Sequence, residues 1–228
     1  MKPYLNTSLV LSIILLLVSF YSSCQRRSDE TGPSMTNTSN PIETSQTISP
    51  KEMQLRKEIM LRAIEREAVW SRLTNLKDVA LQPEESETRV WVGFALMNTP
   101  CFILKDVNGQ KSAVFISAKV SRPASASDRK PRVLPVHTVL SAPSSGWPEF
   151  DRYLKEQGVE YPLRFSFDNR HSGDPDEESI VIEMKSGANY SMVFFPLFTE
   201  TADGKRALEV CRKIEQEFHI KLGCGTGS

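Results

Sequence analysis

The chain has 228 residues, with 28 Lys and Arg balanced by 28 Asp and Glu, so its formal net charge is zero. That balance provides no overall field to draw the protein to nucleic acid, and no basic stretch carries the interleaved aromatics a nucleic-acid face requires. The apolar share is that of an ordinary globular protein, and the length suits one domain with a tether.

Lys2 gives a short positive start, and Leu9 to Tyr21 is almost wholly apolar. This run suits the hydrophobic region of an export signal and is too short for a bilayer span, which takes about 20 apolar residues. Cleavage after Ser22 or Ser23 would put Phe20 or Tyr21 where an ordinary signal needs a small residue. Cleavage before Cys24 meets two small residues, Ser22 and Ser23, directly upstream. The stretch Tyr21-Ser22-Ser23-Cys24 resembles the lipobox of bacterial lipoproteins, with Tyr21 where Leu is usual. The resemblance covers residues 1–24. It implies a signal peptide over 1–23 and a diacylglyceryl thioether on Cys24, with fatty acids such as palmitate, so that the membrane is a partner through the lipid. Gln25, in place of Asp after the cysteine, implies the outer membrane where a cell has two. More than one acyl chain, at about 0.8 kcal/mol per buried methylene, makes a stable anchor.

Gln25 to Pro50 is rich in Ser, Thr, Asn and Pro and nearly free of large apolar groups, so residues 24–50 are expected as a lipidated, disordered tether. A flexible coil of about 26 residues spans roughly 25 to 30 Å. A single globular domain is expected over 51–222, with a frayed tail over 223–228 in which Gly223 and Gly225 flank Cys224. Lys51 to Leu73 reads as a helix, because Ile59, Met60, Ala63, Ile64, Trp70 and Leu73 recur at spacings of three and four. Glu67 falls on that face, where an unpartnered carboxylate is costly, and is expected at its rim.

Thr88 to Val120 reads as a three-stranded meander. Val90, Val92, Phe94 and Leu96 alternate with Trp91, Gly93, Ala95 and Met97, so both faces are largely apolar. Asn98-Thr99-Pro100 leads to Cys101–Val107, and Asn108-Gly109 suits the type I′ hairpin turn, which needs positive φ at both central positions. After the basic loop Ser121 to Arg132, with Arg122, Arg129 and Lys130, the strand Val133–Leu140 is confined to an edge by Pro135. Pro148 opens a short helix with Trp147, Phe150 and Leu154 inward and Gly158 as its stop. Leu163–Phe167, Ser179–Lys185 and Tyr190–Leu197 read as strands. Asp203-Gly204 opens the last helix, with Ala207, Cys211, Ile214 and Phe218 as its apolar stripe. Runs of hairpin strands with few helices give an α+β class. The expectation is an antiparallel sheet of about six or seven strands, with an N-terminal helix and two further helices packed on one face.

Beyond Cys24 the cysteines are Cys101, Cys211 and Cys224, which in an oxidising compartment suggests one bridge and one spare thiol. A helix ending near Ile220 carries Cys211 roughly 13 Å back from its end, so the expected bridge joins Cys101 to Cys211 or Cys224. The acidic loop Asp168 to Glu178 holds the candidate calcium oxygens Asp174, Asp176, Glu177 and Glu178, but lacks EF-hand spacing and reads as a solvated loop. The histidines are His137, His171 and His219, without HExxH or zinc spacing, and there is no GxSxG, P-loop or GxGxxG. No metal or cofactor is expected. The chain reads as a non-catalytic envelope lipoprotein that binds another envelope protein or a polymer. The rivals are a hydrolase assembled from Glu67, His137 and Asp168, and a calcium-stabilised module. A hydrolase requires a cleft that gathers titratable groups; a binding module requires a flat or apolar patch.

Overall fold

The computed structural model describes residues 49–93, 99–121, 132–165, 179–196 and 201–224. Helix α1 is Pro50–Trp70. Ser49 caps it, its Oγ accepting from Glu52 N at 3.2 Å, and Pro50 occupies the first turn, where a missing N–H costs nothing. The helix stops where Ser71 N bonds to Glu67 O and Arg72 turns to a φ of 58°. Met60, Leu61, Ala63 and Ile64 pack inward, whereas Leu55 and Ile59 are exposed, so the helix is seated by its C-terminal half. No helix among the described residues is long and apolar enough to cross a membrane.

Six antiparallel strands follow: β1 Ser86–Val92, β2 Cys101–Val107, β3 Gln110–Ser121, β4 Arg132–Leu140, β5 Ser179–Ser186 and β6 Asn189–Pro196. Their order is β4-β3-β2-β1-β5-β6. Asn108 and Gly109 take φ values of 55° and 75°, as the β2–β3 turn requires. Pro135 lies opposite Ala118 on β4, an edge strand, where a missing N–H breaks no outer ladder. Helix α2, Trp147–Glu156, starts with Pro148 in its first turn, and α3 is Ala202–Phe218. Leu163–Phe165, expected to begin a strand, is irregular chain; Phe165 still serves the core by packing on Phe195, ring centroids 5.6 Å apart. Phe94–Asn98, most of the basic loop and Leu197 lie outside the described residues.

The helices cover both faces of the sheet, not the one face expected. Strand side chains alternate, so β1 sends Val90 and Val92 to one side and Trp91 to the other, and both sides need cover. Trp91, Cys101, Ile103, Ile116, Val181 and Met192 pack with Ile64 of α1. On the opposite face Val90, Val92, Phe102, Ile180 and Ile182 pack with Phe150 and Leu154 of α2 and with the whole expected stripe of α3.

Candidate functional site

The pairing of β1 with its neighbours gathers charge under the α1 side of the sheet. Arg89 lies opposite Glu183 and Glu87 opposite Lys185 on β5, and Glu87 also lies opposite Lys105 on β2. These residues share parity with Trp91, so the pleat points them to the side where the chain leaves α1. Arg89 is 2% exposed and Glu183 0%. Arg89 Nε donates to Glu87 Oε1 at 2.7 Å, and its Nη1 lies 3.7 Å from Glu183 Oε1. Lys105 Nζ closes on the other Glu87 oxygen at 3.1 Å.

A loop carrying the 3₁₀ turn Leu76–Asp78 roofs the cluster. Its backbone supplies acceptors that charged groups need once water is removed: Arg89 Nη1 donates to Thr74 O at 2.9 Å and Lys185 Nζ to Lys77 O at 2.5 Å. Leu76 is fully buried beneath the roof, and Lys77 Nζ ties it to Glu65 of α1 at 2.5 Å. Burial pushes the Glu183 carboxyl up to about 7, against the opposing pull of Arg89. Tyr190 donates its hydroxyl to Glu183 Oε2 at 3.2 Å, and burial, followed by the adjacent Glu183 charge, raises the phenol. Chemically the cluster is an arginine clamped by carboxylates, with a proton at Glu183 near neutrality, sealed from solvent rather than open to a substrate. None of these residues stood out in the sequence. Their signal is opposite charges two positions apart, Glu87 with Arg89 and Glu183 with Lys185, at one end of otherwise apolar strands.

The expected hydrolase residues are occupied by the fold or lie elsewhere. Glu67 is buried rather than at the rim, and its Oε2 accepts from Thr99 N at 3.0 Å, just before β2. His137 on β4 donates from Nε2 to Ser71 O at 2.7 Å, fastening the edge strand to the end of α1. Asp168 lies outside the described residues, as do His171, Asp174, Asp176, Glu177, Glu178 and Cys24. No group of three or more His, Cys, Asp or Glu among the described residues could hold a metal ion. A depression of about 380 Å³ beside the β2–β3 turn, lined by Val107, Asn108, Gln110, Lys111 and Ser112, contains neither Glu67 nor His137.

Cys101, Cys211 and Cys224 are all buried thiols. Cys101 lies in the α1 layer, its Sγ 3.6 Å from Phe102 O, and burial pushes its thiol well up, away from nucleophilic use. Cys211 and Cys224 lie together in the opposite layer. The sheet therefore separates Cys101 from both of its expected partners, and the two thiols the fold brings together are Cys211 and Cys224. Cys224 is also no part of a frayed tail: it is buried. Exposed apolar side chains recur on the β3–β4 hairpin, at Val120, Leu134 and Val139. No family model matches the chain, and neither does any curated protein or solved structure.

Proposed function

We propose that the protein is a lipid-anchored envelope lipoprotein whose α+β domain is a non-catalytic binding or structural module. The observation that carries this reading is the apolar run Leu9–Tyr21 closing on Ser22-Ser23-Cys24, too short to span and ending in a lipid-bearing type of cysteine. A lipid on Cys24 followed by a polar tether keeps a domain at a surface without embedding it. Gln25 favours the outer membrane where two are present.

Two features of the domain support a non-catalytic role. The groups with chemical potential, Glu67, His137, Cys101 and the Arg89 cluster, are engaged in internal contacts. The far end of the β3–β4 hairpin meanwhile presents Val120 and Leu134 to solvent, with Val120 63% exposed. Beyond the last β2–β3 pair, Cys101 with Ile116, the remainder of β3 pairs with β4, so this end of the hairpin is a two-stranded ribbon. An exposed apolar ribbon is a recognition surface or an aggregation hazard, and an envelope partner would cover it.

The anchor is tested with Cys24→Ser. Wild-type protein should sediment with membranes and carry acyl chains on its N-terminal cysteine, whereas the variant should remain as unprocessed precursor or appear as a soluble form. A wild-type N-terminus that is unmodified, at Gln25 or earlier, overturns the anchor. The module is tested with a photo-crosslinking side chain at Val120 on the ribbon and, as control, at exposed Lys155 on α2. Discrete envelope adducts are expected at Val120 alone; identical patterns at both positions would count against the ribbon.

A further inference from the structure

Cys211 stands in the middle of the buried stripe of α3, and Cys224 in the tail beyond it, at 0% and 1% exposure in the same core layer. The chain must reverse to bring them together. His219 begins the reversal: it ends α3 in the left-handed region at a φ of 53° and bonds back to Glu215 O. Gly223 continues it at a φ of 95°, which a residue with a side chain rarely adopts. Leu222, 2% exposed, fills the core between these turns.

Glu215 holds the returned tail. Its Oε1 accepts from Leu222 N at 2.6 Å, Gly223 N at 2.9 Å and Cys224 N at 3.4 Å. Glu215 follows Cys211 by one helical turn, so the carboxylate that collects these N–H groups sits beside that thiol on the helix surface. Cys224 is thereby held against α3 one helical turn from Cys211, in the same buried cluster. Cys101 has no route to either, being in the other core layer.

We propose that Cys211 and Cys224 form a disulfide that fastens the C-terminal tail to α3. In the cell the bridge rests on the export reading, which supplies an oxidising compartment. The oxidant is another disulfide, carried by an exchange protein or by oxidised glutathione. One cysteine thiolate attacks it, forms a mixed disulfide and expels a thiol. The second cysteine then attacks the mixed disulfide and expels the other. Two electrons pass to the incoming disulfide, and the two cysteine protons end on the two released thiols. Burial raises the Cys211 thiol well above its ordinary range, so exchange proceeds while the tail is undocked, and docking then shields the bridge from reductants.

The test uses the full chain, equilibrated in an oxidising glutathione buffer, alkylated under denaturing conditions and digested with trypsin without reduction. The peptides ALEVCR (207–212) and LGCGTGS (222–228) should appear as one linked species, with Cys101 alkylated. A link through Cys101, or alkylation of Cys211 and Cys224 in that buffer, overturns the pairing. The bridged form should melt roughly 5 to 10 °C above the reduced form; equal melting temperatures would overturn the fastening role. The same digest of protein isolated from cells separates pairing from compartment. Linkage there supports both. Linkage in glutathione with free thiols in the cellular protein leaves the pairing standing and overturns export.

Discussion

Glu183 loses its hydration on β5, and the Arg89 guanidinium 3.7 Å away returns only part of what burial removes. Its carboxyl therefore holds a proton up to about pH 7, against an ordinary value of 4.5. Between those limits the native state binds a proton that the unfolded chain has released. Stability from this group is accordingly full below about pH 4.5, falls as pH rises towards 7, and levels off above it, by on the order of 3 kcal/mol. Glu183→Gln fixes the neutral form and leaves Arg89 its 2.7 Å contact with Glu87. The variant should match wild type most closely at pH 5 and exceed it at pH 8, read from urea midpoints at the two values. A difference that is the same at both would show that Glu183 does not titrate in this window.

Helix α3 owes its seat to one aromatic cluster. The Phe218 ring lies 5.0 Å from Phe102, 5.2 Å edge-on to Phe150 and 6.0 Å from Trp147, so it joins the sheet, α2 and α3 at one point. Phe218→Ala should cost about 3 to 5 kcal/mol, while exposed Gln216→Ala should change stability within about half a kcal/mol. Equal denaturation midpoints for the two variants would remove Phe218 from the core. The stripe of this helix was legible because Ala207, Cys211, Ile214 and Phe218 are apolar as well as inward. The stripe of α1 was legible only in part. Its buried line runs through Ile64, Glu67, Ala68 and Ser71, and hydropathy does not mark a glutamate or a serine as inward. What makes Glu67 tolerable there is the N–H of Thr99, a partner 32 residues away that no local pattern contains.

For the molecule as a whole, the α+β class, the edge position of β4 and the Asn108-Gly109 turn could be read from periodicity and turn chemistry. The two-sided cover was also written in β1, whose two faces are both apolar, but which helix lies on which face is a long-range property. So is the site: Glu87 and Arg89 acquire meaning only when β5 arrives beside them. That seam joins segments roughly 90 to 100 residues apart, across which nothing local sets the alignment. The apolar rungs of β1 and β5, Val90 with Ile182 and Val92 with Ile180, would tolerate a shift by two residues, since the same faces would still point inward. The charged rungs would not. A shift one way sets Arg89 against Lys185, and a shift the other way sets Glu87 against Glu183, in each case like charges under the loop that carries Leu76. Ion clusters of this kind add little net stability, but here they penalise every near-miss alignment of the seam, so the strands have one way to close.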